Sequence, residues 1–84
     1  MRPDLLALFD AYTGQQVTDW TDAPKGQRVD LALPAGSLFV KVGVKPTRGE
    51  VRYSRALERR PGDLVSVEPE QLAAIKAGRD VVMT

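Results

Sequence analysis

Eighty-four residues, 43% hydrophobic and 27% charged, have the size and composition of one small globular domain, without room for a second core and far from the disordered regime. Cysteine and histidine are both absent, which excludes disulfide bracing, thiolate nucleophiles, and metal sites or proton relays built on imidazole. The net charge of +1 conceals blocks: residues 41–60 carry Lys41, Lys45, Arg48, Arg52, Arg55, Arg59 and Arg60 against Glu50 and Glu58, a net +5, while 1–40 and 61–84 each come to −2.

Met1–Leu8 lacks the apolar core and small-residue cleavage site of a signal peptide. No run approaches the roughly 18 apolar residues of a membrane span. The expected location is the cytoplasm of the producing cell. Leu5, Leu6, Leu8, Phe9 and Tyr12 fit two patterns. One is a helical stripe with Pro3 in its first turn. The other is a strand entering a hairpin at Asp10–Gly14, where an early Asp and a late Gly suit a type I turn closed by a left-handed residue. The β-formers Val17, Thr18 and Trp20 follow so closely that the hairpin is preferred.

Residues 22–27 form a loop, from their Pro and Gly. Arg28–Leu33 alternates, with Val29, Leu31 and Leu33 on one face, as a half-buried strand does. Pro34-Ala35-Gly36 reads as a tight turn, and Ser37–Lys45 as the clearest strand. There Leu38, Val40, Val42 and Val44 face one way, and Phe39, Lys41, Gly43 and Lys45 the other. Strand, short turn and strand predict an antiparallel hairpin of 28–33 with 37–45. Glu50–Leu57 resumes alternation, with Val51, Tyr53 and Leu57 together; Arg55 falls on that apolar face, so it snorkels, lies at an edge, or marks a bend. Residues 58–63 are a polar turn and Leu64–Val67 a short strand. A helix over about 69–77 follows, with Pro69 in its first turn, Glu68 and Glu70 at its positive end, and Gly78 beyond its end. Val81–Met83 reads as a last strand. The fold class is α+β, mainly β: a small antiparallel sheet or open barrel of five to seven short strands with one late helix. The whole chain, 1–84, is one domain, comprising a hairpin region 5–20, a β core 28–67, and the helix and last strand 69–83.

Chemistry is sparse. Thr13, Ser37, Thr47 and Ser54 have no activating neighbour in sequence. Asp19 and Asp22 flank Trp20, an arrangement that suits a sugar platform but equally a solvated turn beside a small-core anchor. Asp10, Asp19 and Asp22 match no calcium-loop spacing. No catalytic residue, cofactor site or metal site is expected. The basic stretch remains. Lys41, Lys45, Arg52 and Arg55 on one sheet face would attract phosphates, with Tyr53 or Phe39 stacking on bases, or they would dock on an acidic protein. Phe39, opposite the valine row, belongs either to a two-sided core or to a contact surface. Arg59-Arg60 projects on a turn and can pair with a neighbour's carboxylates.

Val42-Gly43-Val44-Lys45-Pro46, Val51-Arg52-Tyr53, Pro61-Gly62-Asp63-Leu64-Val65 and Glu68–Gly78 with Ala73-Ala74 occur in that order. This half of the chain resembles small proteins of tailed-phage structural gene clusters. Phe39-Val40-Lys41 and Arg79-Asp80-Val81-Val82 are similar to the opening and close of short Mu-like tail-region proteins, although Arg79 stands where Asp is usual. The resemblance implies a virion or accessory binding role and assigns no functional residue.

The expectation is a non-enzymatic structural or adaptor protein acting by protein–protein assembly, such as a decoration, connector or tail accessory piece of a phage. The alternative is a mobile-element inhibitor of a host enzyme or defence complex. A third reading is a nucleic-acid module using 41–60. Partners are then a virion or host protein, a second copy, or, less favoured, nucleic acid, and no membrane. Candidate partner-binding residues are Phe39, Lys41, Lys45, Arg48, Arg52, Tyr53, Arg55, Arg59 and Arg60.

Overall fold

Among the described residues, seven strands and one helix organise around β4 (Phe39–Lys45), the strand whose valines alternate most cleanly. The computed structural model describes residues 2–34, 39–60 and 62–79. β1 (Asp4–Asp10) lies antiparallel to β4 in an unbroken register from Leu5↔Lys45 to Asp10↔Val40. β2 (Thr21–Ala23) borders β1, while β5 (Arg52–Tyr53) and β6 (Leu57–Glu58) follow one another along the other edge of β4. β3 (Val29–Ala32) and β7 (Leu64–Val67) form a separate antiparallel ribbon. The helix α1 (Pro69–Lys76) comes last. The mainly β, antiparallel α+β architecture is as the alternation predicts.

The first hairpin closes as its residues demand. Asp10 Oδ1 accepts the Tyr12 and Thr13 N–H groups at 2.8 and 2.9 Å. Gly14 takes φ +77°, a left-handed conformation that a side chain would resist, and its N–H returns to the Asp10 carbonyl. Those two bonds hold the Asp10 carboxyl below its ordinary pKa of 3.8, the Thr13 bond contributing most. The return arm is irregular: Leu8 N–H finds the Thr18 hydroxyl, at 2.9 Å, in place of a backbone carbonyl.

Two expectations are corrected. Residues 28–33 do not form a hairpin with 37–45. β3 pairs with β7, Val29↔Val67 through Ala32↔Leu64, because both edges of β4 are already taken by β1 and by β5 and β6. Residues 50–57 are not one strand either. Gly43 faces Tyr53 but Val40 faces Leu57, so one extra residue enters opposite β4. This β-bulge reverses the side-chain phase, and Tyr53 and Leu57 emerge on opposite faces. Ser54 stabilises it from a buried position: its Oγ accepts Val42 N–H and donates to the Arg55 carbonyl, both at 2.9 Å. Of the three readings of Arg55 (an edge, a snorkelling side chain or a bend), the bend corresponds to this feature. The predicted strand at 81–83 and the turn at 35–36 lie outside the described residues.

The inner face of the five-stranded sheet supplies Leu6, Leu8, Val40, Val42, Val44 and Leu57; the ribbon adds Leu31, Val65 and Val67, and α1 adds Leu72 and Ile75. Fully burying each such side chain is worth roughly 1.5–3 kcal/mol. The helix begins with Glu68 N–H capped by Gln71 Oε1 at 2.8 Å. It ends with Arg79 N–H reaching the Ala74 carbonyl past Gly78 at φ +75°, a Schellman closure. Lys76 ties it to β1 through Asp4 at 2.8 Å.

Candidate functional site: the outer sheet face

The core cluster contains no aromatic residue. The chain has one Trp, two Tyr and two Phe, and all five gather on the outer face of the sheet. Strand alternation places them there. On β1, Leu6 and Leu8 point inward, so Phe9 points out; on β4 the valines point inward, so Phe39, Lys41, Gly43 and Lys45 point out. The bulge turns Tyr53 outward beside Gly43. Trp20, on the segment that leads into β2, folds over the same surface.

Phe9 lies at the centre, 7% exposed. Trp20 packs edge-on against it at 5.6 Å between centroids, and Tyr53 does so at 5.2 Å and 90°. Such T-shaped pairs match positive ring edges to negative faces. Gly43 provides the space. A Cβ there would overlap the Phe9 ring, at 2.8 Å from Cδ1, and press on Tyr53 Cε1 at 3.3 Å. At the other end of the face Tyr12, 80% exposed, meets Phe39 edge-on at 5.3 Å.

Two cations cover the rings. Lys41 Nζ sits 4.2 Å above the Tyr53 centroid and Lys45 Nζ 5.8 Å from that of Trp20, both within reach of the ring quadrupole. Lys41 is half-buried and Lys45 exposed. Two carboxylates share the face: Asp22 lies across Leu5 from Lys45 in the same row, and Glu58 is paired with Phe39.

Of the residues singled out in sequence, Phe39, Lys41, Lys45 and Tyr53 are therefore brought together. Arg52 is not with them. It sits opposite Val44, on the inner side, and its guanidinium reaches the end of α1, where Nη1 lies against Gly78. A strand only two residues long cannot put neighbours on one face. Arg55 lies in the bulge and lines the same recess as Arg52. Arg48 is exposed on the 46–51 connection. Arg59 donates to the Glu58 carbonyl, and the Arg60 backbone N–H to Asp63. No ring contact links these three to the aromatic face among the described residues. Asp10, Asp19 and Asp22 do not gather as a cation site: among the described residues no group of three or more acidic side chains is placed to ligate a metal.

Phe9, Tyr12 and Trp20 escaped the sequence reading of the site. The signal was present for Phe9, since it stands out of phase with Leu6 and Leu8. Trp20 stood out only as a candidate sugar platform between Asp19 and Asp22; its place on this face had no signal, because an irregular segment has no period.

No protein-family model matches this chain, and no curated protein and no solved structure matches it. Among the described residues no helix is long and apolar enough to cross a membrane.

Proposed function

We propose that the protein is a non-enzymatic binding protein whose outer sheet face docks on an acidic surface of another protein, in the manner of a structural or adaptor component. One observation carries this reading: all five aromatic side chains lie on the outer sheet face, packed ring to ring, with Lys41 and Lys45 over two of the rings. Aromatic residues give large contact area with few rotatable bonds and dominate interface energetics. Here they are locked before any partner arrives, so little ordering entropy remains to be lost on docking. Lys41 and Lys45 supply a positive rim that would steer and orient an acidic partner. The phage-like ordering of the carboxy-terminal half favours a virion protein as that partner.

A second reading has specific support. A lysine above Tyr53 and another beside Trp20 are the ingredients of a single-stranded nucleic-acid platform. Against it, Phe9 is covered by its neighbours and offers no free ring face.

The test compares the wild type with a variant carrying Tyr12→Ala, Lys41→Glu and Lys45→Glu, none of which touches the aliphatic core. Proteins from the producing cells that bind the wild type should be lost from the variant while its melting temperature holds. Identical captures would refute docking through this face. Tight binding of a single-stranded oligonucleotide, falling steeply with salt, would instead establish the second reading.

A further inference from the structure

We infer that the recess between β5, the Ser54 bulge and the end of α1 is an oxyanion site, distinct from the aromatic face and independent of its proposed role. The recess holds about 400 Å³ and is lined by Arg52, Arg55, Arg79, Tyr53 and Gly78, with Ile75 beneath. Three arginines thus border one small concavity, the Arg52 guanidinium lying beside Gly78. Arg55 already has a partner of its own, so the site rests on Arg52 and Arg79.

The competing explanation is that these arginines neutralise the carbonyl end of the helix. The magnitudes decide against it as the whole account. A helix C-terminus carries only about half an elementary negative charge, and Arg52 alone, against Gly78, exceeds that. Lys76, the cation of the last turn, is spent on Asp4. Arg79 therefore adds charge that the helix does not require. Asp80, next in sequence, lies outside the described residues.

The chain geometry builds the recess. Gly78 at φ +75° turns the backbone, and Arg79 N–H closes back on Ala74, which brings position 79 beside β5. The bulge at Ser54 fixes the opposite wall. A guanidinium presents parallel N–H donors that suit a group with two or more equivalent oxygens, a phosphate or a carboxylate. Tyr53 borders the recess and the aromatic face alike, so an anion held here would sit at the margin of that face.

Amide and arginine side-chain NMR shifts of the full chain, titrated at low salt with inorganic phosphate and separately with acetate, test the site. Saturable shifts should concentrate on Gly78, Arg79 and the Arg52 Nε–H, and affinity should fall at least tenfold in Arg52→Gln and in Arg79→Gln. Phosphate binding ten times tighter than acetate would identify a phosphorylated or nucleic-acid ligand; equal binding would identify a side-chain carboxylate. Non-saturating shifts spread over all cations, or shifts unchanged in both variants, would overturn the inference. Using two separate variants guards against one of them failing to fold.

Discussion

Gly43 is the residue on which the outer face depends most. Its missing side chain lets the Phe9 ring close against the sheet between Trp20 and Tyr53. Gly43→Ala would force that ring aside, and since the ring is held on two sides, the strain cannot be shed at a flexible tip. Overpacking of this kind costs about 1–3 kcal/mol. The expected result is a lower melting temperature together with a changed emission from Trp20, the only tryptophan. Unchanged emission would mean that the rings do not interlock. Ser54 has the same standing inside the sheet. Ser54→Ala leaves the Val42 N–H without the hydroxyl it donates to, and a buried unpaired donor costs about 1–3 kcal/mol. Urea unfolding should show that loss in the midpoint with no change in slope. The glycine's strand was legible in the sequence; its purpose was not, because the ring that fills the gap belongs to another strand.

Among the elements, those with an uninterrupted period were legible. The alternation of 37–45 gave the inward valines and the outward lysines, and Pro69, Glu68, Glu70 and Gly78 gave the helix with both its ends. Where period-two reading failed, a single extra residue was responsible: the bulge at Ser54 reversed the phase between Tyr53 and Leu57, and its one mark in the sequence, Arg55 on the apolar face, fitted an edge or a snorkelling side chain equally. Strand partners failed for a different reason. Proximity in sequence favoured pairing 28–33 with 37–45, whereas pairing is decided by which edges of β4 remain open. The first hairpin was read correctly because its turn chemistry is local, and its Asp carries a pH signature. The Asp10 carboxyl has a lowered pKa in the fold. Its contribution is therefore full above the ordinary value of 3.8 and is lost as pH falls through the lower folded value. The stability gap between wild type and Asp10→Ala, measured by thermal melting, should be present at neutral pH and close well below 3.8. A gap that persists in acid would show that the carboxylate does not act through its charge.

For the molecule as a whole, the layers separate by chemistry. An aliphatic core lies between the five-stranded sheet and the ribbon with its helix, and the aromatic residues stand on the far side of that sheet. The basic stretch of the sequence is divided by the fold: Lys41 and Lys45 join the rings, whereas Arg52 and Arg55 border the helix end. That division was hidden from the sequence, because the charge block is continuous there and only the bulge and the inward turn of Arg52 split it. Phe9 is buried by its neighbours in the monomer, whereas Tyr12 and Tyr53 stay exposed, and that exposed aromatic surface makes sense as one to be covered. Lysine-reactive footprinting by mass spectrometry, on the complex recovered from producing cells, addresses this most directly. With the partner bound, Lys41 and Lys45 should lose reactivity while the exposed Lys25, on the loop before β3, keeps it. Protection of Lys25 with Lys41 and Lys45 still fully reactive would contradict the account.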